Sequence, residues 1–364
     1  MIGGTISRLL HSHQPDQDQS QALLERVNQA IADRTPLRIQ GGGSKAFLGR
    51  PVQGETLDTR GHRGIVSYDP TELVITVRAG TPLIELDRAL DEAGQMLACE
   101  PPRLGEHATV GGMIGAGLSG PRRPWSGSVR DFVLGSRVIT GHGKHLRFGG
   151  EVMKNVAGYD LSRLMAGSFG CLGLLTEVSL KVLPKPRLTR NLRIEMDLER
   201  ALLNLCEWGQ QPVPITAASY EGGALHLRLE GGEGSVNAAC DRFGGEELAL
   251  GYWDDLNEQR LAFFQDPRPL WRLSLPNATP PLALPGEQLI DWGGAQRWLK
   301  SDAEATVIRA IASEVGGHAT CFSAAVVDSP FQPLAAPLLR YHRQLKAALD
   351  PHGIFNPGRM YAEV

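Results

Sequence analysis

Two domains that each combine helices with strands are predicted by three observations. The chain has 364 residues and a mass of 39.4 kDa, above the size at which a single core usually keeps growing. Helical and strand-like patterns alternate along its first half, with glycine-rich loops between them. A proline break at Pro184 and Pro186 then separates that half from a second run of mixed patterns.

The first helix is read over QALLERVNQAIADRTP (21–36), where Leu23, Leu24, Val27, Ala30 and Ile31 share one stripe before Pro36 ends it. LRIQ follows as a short strand that breaks on three glycines. Between turn signals at 64–82, the alternation of Leu73, Ile75 and Val77 predicts a strand. PLIELDRALDEAG then reads as a helix opened by Pro82 and closed by Gly94. The stretch 101–130 is too rich in glycine and proline for a continuous helix. Beyond it, Val133 and the VIT segment, the turn GHG and the segment KHLRF predict a hairpin, and LLTEVSLKVLPKP predicts a strand stopped by its prolines. After residue 188, ALHLRLEG is strand-like and SDAEATVIRAIASEVGG helix-like, which predicts a second α/β domain before the closing segment LKAALDPHGIFNPGRM. The expected divisions are a loose tail at 1–20, a domain at 21–187, a domain at 188–345 and a returning tail at 346–364.

Thirty-seven basic and 40 acidic side chains give a net charge of −3, so no general electrostatic field invites a nucleic acid. Five widely spaced cysteines without a CxxC pair argue against a disulfide framework and against an iron–sulfur or zinc site. His11 and His13 form an HxH pair with no carboxylate or cysteine beside it, so no metal is expected there. Neither a secretion signal nor a membrane-length apolar run is apparent. A cytoplasmic location is the expectation.

Chemistry is concentrated in three glycine-rich stations: IQGGGSKAFLG (39–49), ATVGGMIGAGLSG (108–120) and VAGYDLSRLMAGSFGCLG (156–173). Glycine lets a backbone approach a ligand closely and lets successive amides face phosphate oxygens. The first station is neither GxGxxG nor GxxxxGK[ST], so it matches neither the common dinucleotide fingerprint nor a nucleoside-triphosphate loop. Any large cofactor must then be gripped by several separated loops, and an extended dinucleotide suits that arrangement. Within the third station and just before it, Lys154, Asn155, Tyr159 and Asp160 supply polar groups, while Leu161, Leu164 and Met165 have helical packing spacing. The plainer alternatives are a ligand-free glycine turn, a tightly packed crossover and a solvated Lys154.

These segments, together with CEPPRLGEHATVGGMIGAGLSG, RRPWSGSVRDFVLG, EVMKNVAGYDLSRLMAGSFGCLGLLTEVSLKVLPKP and the closing LDPHGIFNPGRM, resemble the FAD-binding domain of the vanillyl-alcohol oxidase and para-cresol methylhydroxylase family. Within it they are most similar to the FAD-binding subunits of bacterial glycolate oxidases. The resemblance covers about residues 21–187 and the tail at 349–360. It implies an α+β fold with a two-part FAD-binding domain and a second α/β cap domain. It further implies that Gly41, Gly42, Gly43, Ser44 and Lys45 approach the FAD pyrophosphate. Thr109, Gly111, Gly112, Gly115, Ala116 and Gly117 would sit against the pyrophosphate and flavin side, and Gly127, Ser128 and Asp131 against the ribityl or adenosine portions. Gly167, Gly170, Gly173 and Thr176 would supply the last wall, and Asn356 with Pro357 would return the C-terminus to the cofactor. Covalent members often place a histidine in the first glycine loop. GGGSKAF lacks one, which favours noncovalent FAD, with Cys99 and His107 as the remaining attachment candidates.

The implied reaction is oxidation of a small 2-hydroxy acid, glycolate or D-lactate, by a complex that also contains a larger flavin subunit and an iron–sulfur subunit leading to a membrane quinone. Membrane association would then be peripheral, through the complex. Arg272, on the strand-like WRLSLP, is the candidate for the substrate carboxylate, because its fork donates two hydrogen bonds. His352 in DPHG is the candidate for a group near flavin or substrate. The larger flavin subunit carries a segment of the form HxxHGDGNxH, which has no counterpart here, and no residue stands out as a general base. Three roles stay open: a flavoprotein partner within the complex, a dehydrogenase catalytic in its own right, and a non-redox subunit that keeps only the fold.

Overall fold

The computed structural model describes residues 17–150, 160–249 and 251–364. The HxH pair and Lys154, Asn155 and Tyr159 lie outside the described residues. In chain order the first domain contains α1 (Ser20–Asp33), β1 (Leu37–Gln40), β2 (Glu55–Asp58), β3 (Ile65–Asp69), β4 (Val74–Arg78), α2 (Leu83–Glu92), β5 (Gln95–Met96), α3 (Val110–Ala116), α4 (Arg123–Ser126), α5 (Val129–Phe132), β6 (Val133–Ile139), β7 (His145–Gly149), α6 (Leu161–Leu164), β8 (Leu174–Lys181) and β9 (Leu183–Pro184). The second contains β10 (Leu188–Glu195), α7 (Leu198–Trp208), β11 (Ile215–Glu221), β12 (Ala224–Gly231), α8 (Glu233–Phe243), β13 (Glu246–Glu247), α9 (Tyr252–Asn257), β14 (Leu270–Ser274), β15 (Glu287–Asp291), β16 (Gln296–Lys300), α10 (Ala305–Glu314) and β17 (His318–Cys321). The last helix is α11 (Ala336–Leu349). It runs without a break across the expected division at 345/346.

In the first domain α1 buries Leu23, Val27 and Ala30 and ends on Arg34 in the left-handed region, two residues before Pro36. β1 pairs in parallel with β2, and both share a small core with α1, Ile354 and Phe355. A five-stranded antiparallel sheet of order β3-β4-β8-β6-β7 carries the main core, onto which Leu83, Leu86 and Leu90 of α2 and Met113 and Ile114 of α3 pack. The expected alternation at 73–77 gives way to a strand buried at every position, because β4 is an inner strand of a sheet covered on both faces. Leu73 sits outside it, in the preceding turn, at φ 58°.

The second domain is an eight-stranded antiparallel sheet of order β13-β10-β12-β11-β15-β16-β14-β17. Its outer face is covered by α7 and α8 over one half and by α10 over the other. Its inner face meets α9 and, through Leu48 and Leu118, the first domain. Trp271 and Leu273 point outward into the α10 core, so the residues between and beside them, Leu270, Arg272 and Ser274, point inward. The C-terminal segment then returns: Leu37 N–H donates to Ile354 C=O at 2.7 Å, and Asn356 N–H to Leu37 C=O at 3.0 Å.

Candidate cofactor site

A cavity of about 610 Å³ lies in the first domain where the glycine stations meet. That is within the range of about 300–1,000 Å³ for small-molecule and cofactor pockets. β1 delivers the first station directly into it. Among the described residues, the N–H groups of Gly42, Gly43, Ser44 and Lys45 donate to no protein acceptor, and all four residues line the cavity. Consecutive unpaired amides on a concave wall suit an anionic ligand.

The charged groups of the wall support the same reading. Among the described residues Arg38, Lys45 and Arg359 line the cavity, and no Asp or Glu does. All three cations meet neutral acceptors. Arg38 donates to Thr56 Oγ1 at 2.6 Å, Lys45 to Arg103 C=O at 2.9 Å and Ser44 Oγ at 3.2 Å, and Arg359 to Arg50 and Ala46 carbonyls at 2.9 and 3.0 Å. Burial lowers the Lys45 ammonium to about 8, against a smaller opposing pull from Glu258. A ligand carrying phosphate charge would complete the pairing that the protein leaves open.

Several glycines in the stations are required by the loops themselves. A Cβ on Gly42 would lie 1.4 Å from the His107 carbonyl oxygen, and one on Gly41 would lie 2.3 Å from Thr109 Oγ1. A Cβ on Gly117 would lie 2.8 Å from the Gly167 nitrogen. The stations therefore pack tightly on neighbouring loops, Gly42 and Gly117 against backbone and Gly41 against the Thr109 side chain, and a side chain at these contacts would force them apart. Asn356, at φ 39°, holds the arrangement from behind. It accepts from Ile39 N–H at 2.8 Å and donates to Phe169 C=O at 2.6 Å. Beneath it Lys346 Nζ meets Asp350 at 2.8 Å and donates to the carbonyls of Cys171 and Phe355.

A second, much smaller cavity of about 20 Å³ lies between the domains, lined by Leu118, Ser119 and Gly120 from one side and by Arg272, Asp291, Gln296 and Trp298 from the other. The volume is close to that of one water. Arg272 Nε is buried without an acceptor, and its guanidinium lies 4.8 Å from the Phe322 ring centroid. Burial, with Arg123 adding repulsion, lowers it to about 10. Asp291 is buried and accepts from Trp292 N–H at 2.7 Å and Gln296 Nε2 at 3.1 Å. Desolvation nevertheless raises its carboxyl to about 7. Beside this cavity, Glu100 and Arg122 of the first domain form a network with Arg228 and Glu230 of the second: Glu100 meets Arg122 at 3.1 Å and Arg228 at 2.7 Å, and Arg122 pairs with Glu230.

Residues 17–149 match the family model described as an FAD binding domain. Over 347 residues the chain is 67% identical to the glycolate oxidase subunit GlcE of Escherichia coli (strain K12), covering 95% of this chain and 99% of that protein. The chain belongs to the GlcE family. A shorter likeness, 34% identity over 161 residues, covers 44% of this chain and 34% of the glycolate oxidase subunit GlcD of Bacillus subtilis (strain 168). Among solved structures, an alkyldihydroxyacetonephosphate synthase superposes with a TM-score of 0.65 at 16% identity over 94% of this chain and 75% of that one, which is a likeness of fold. As a GlcE-family chain the protein carries an FAD-binding domain joined to a β-rich cap.

Of the residues expected around the cofactor, the large cavity brings together Gly41, Gly42, Gly43, Ser44, Lys45, Thr109, Gly111, Gly112, Gly115, Ala116, Gly170, Gly173 and Asn356. Seven others, Pro357 among them, lie outside its wall. Gly117 ends α3 in the left-handed region against Gly167. Ser128 and Asp131 form a capping box on α5, with Gly127 packed on the Asp131 side chain. Thr176 is buried in β8, donating to Arg137 C=O at 3.0 Å and bonded to His145 Nε2 at 2.8 Å. His352 is an exposed turn residue after α11 and lines neither cavity. The sequence reading missed Arg38, Arg359, Met165, Ser168 and Phe169, all of which line the large cavity. Arg38 and Gln40 alternate on β1, and Arg359 directly follows the NPG turn, so those two positions carried a signal. Phe169, at φ 51°, carried none.

Proposed function

We propose that this chain is the FAD-binding subunit of a multi-subunit glycolate dehydrogenase that oxidises glycolate to glyoxylate and passes electrons through an iron–sulfur subunit to a membrane quinone. Support comes from the near full-length likeness to GlcE and, above all, from a cavity that, among the described residues, combines unpaired amides, three cations and no carboxylate. The amides of Gly42–Lys45 and the Lys45 ammonium would hold the pyrophosphate, with Arg38 and Arg359 neutralising charge at the rim. Thr109, Gly111, Gly112, Gly115 and Ala116 would form the wall opposite, and Gly170, Gly173 and Asn356 would close it. When bound, FAD supplies the electron acceptor that no side chain here can provide. Attachment is proposed to be noncovalent. Among the described residues none that lines the cavity is His, Cys or Tyr, His107 is exposed, and the Cys99 thiol is buried with its pKa pushed far up.

Within the complex, the chain is proposed to support a sister flavin subunit that carries out the oxidation itself. The cavity that contains Arg272 has room for about one water, whereas glycolate needs several times that space. Association with the cytoplasmic face of a membrane would be peripheral; among the described residues no helix is long and apolar enough to cross one. Acid precipitation of the purified chain tests the cofactor assignment. Free flavin in the supernatant is expected, and flavin retained on the denatured chain, or absent from folded protein, would contradict it.

A further inference from the structure

A line of aromatic side chains runs from the cofactor cavity to the surface. Phe169 is part of the cavity wall, and its backbone is fixed by a 2.8 Å hydrogen bond to Gly115 C=O on the opposite station. Its ring lies 5.2 Å from that of Phe331, which lies 6.1 Å from Tyr361, which lies 5.9 Å from His342 on α11. These separations are within or close to the range of interacting aromatic pairs.

The helix on which the line ends is unusually bare. Lys346 is the only buried residue of α11. Leu338 and Tyr341, three residues apart and so on one face, are 52% and 57% exposed. The Arg340 guanidinium lies 5.3 Å from the Tyr341 ring, and Arg343 reaches only the exposed Glu363 at 3.9 Å. The helix sequence APLLRYHRQLKAAL contains no acidic residue. An exposed Tyr flanked by arginines has the composition of a binding hot spot, and Leu338 beside it adds exposed apolar area. A single exposed apolar side chain, such as Val307 on α10, needs no such explanation.

We infer that the exposed surface of α11, with Leu338 and Tyr341 on one face and Arg340 and Arg343 on the adjoining one, is the docking surface for an electron-accepting iron–sulfur protein with an acidic surface. The inference rests on the reading of the chain as an FAD-binding subunit. Charge complementarity selects the acidic partner, and the aromatic line from the cavity places an acceptor seated here at the end of a packed route to the cofactor.

The test uses the full FAD-loaded chain and the purified iron–sulfur subunit of the complex as probe. Leu338→Glu combined with Tyr341→Glu should weaken their association by about tenfold or more, while Val307→Glu on α10 should change it by less than about twofold. Raising the salt concentration should weaken the wild-type association. Bound flavin and the melting temperature should stay unchanged in all variants. Unaltered association of the double variant, equal weakening by Val307→Glu, or no association of the wild-type chain would overturn the assignment. Loss of the larger flavin subunit, or of self-association, in place of the iron–sulfur subunit would overturn it equally. A wild-type chain without flavin would instead sink the functional reading itself.

Discussion

The two cavities differ in how their charges are arranged. In the large one, Arg38, Lys45 and Arg359 have only neutral hydrogen-bond partners. At the domain boundary next to the small one, Arg122 and Arg228 are matched against Glu100 and Glu230, and Arg272 is the exception left without a hydrogen bond at Nε. Unpaired cations around a roomy cavity are arranged for something that arrives later. Paired ions across an interface hold two domains in one relation, and the cost of burying them is met by their mutual geometry. Binding and orientation are thus kept in separate regions, and substitutions should affect one without the other.

The largest separation is expected from Gly42→Val. Its Cβ would meet the His107 carbonyl, a backbone atom that cannot swing aside, so the first station must shift. Flavin content should fall to near zero while far-UV circular dichroism stays native. Retained FAD affinity would show that the interlock of the stations is not required. Arg228→Met should do the reverse, lowering stability by about 3 kcal/mol because Glu100 and Glu230 lose a partner in a partly buried network, with FAD affinity held. Chemical denaturation and fluorescence titration on the same sample check both halves.

Lys45→Met should weaken FAD about tenfold or more, through loss of a charge-assisted contact, without loss of stability, because a desolvated ammonium is removed. The wild-type pH dependence has a definite sign. The ammonium of the ligand-free chain titrates near 8, and a phosphate partner would raise that value, so affinity should fall as pH rises above about 8, and Lys45→Met should abolish this slope. The same depressed pKa means that the unfolded chain binds more protons between about 8 and 10.5. The Lys45 contribution to ligand-free stability is therefore unfavourable below about 8 and is relieved as pH rises through that window. The smallest effect is expected from Asp291→Asn. Its carboxyl is raised to about 7, so the folded chain binds more protons between the ordinary carboxyl value and 7, and the penalty appears as pH rises through that range. The amide should raise the melting temperature by a few degrees, about 2–4 °C per kcal/mol, at pH 8, and much less at pH 5. Gln296 Oε1, which has no partner, can turn to accept from the new amide.

Much of the large cavity was legible because glycine has few reasons to recur after a strand. The three stations, Lys45 and Asn356 all reached its wall. The identity of each glycine's neighbour was not legible. Gly42 faces another loop's carbonyl and Gly127 a capping aspartate, and both contacts depend on distant segments. β4 shows the same limit, since a run of buried residues replaced the alternation expected from Leu73 onward. The cap yielded less. Arg272 was found on an alternating strand, whereas the network of Glu100, Arg122, Arg228 and Glu230 joins residues up to 130 positions apart, and each of these, like Asp291, looks like an ordinary surface charge in sequence.

Anaerobic mixing of the isolated FAD-loaded chain with glycolate addresses the division of labour most directly, because flavin bleaching reports the chemical step without a downstream acceptor. The same preparation must restore glycolate-dependent dye reduction when combined with the larger flavin subunit and the iron–sulfur subunit. With that condition met, the lone chain is predicted to keep its flavin oxidised, as a water-sized cavity beside Arg272 requires. Rapid bleaching by the lone chain, abolished by Arg272→Met, would contradict the account and make the cap face an active site.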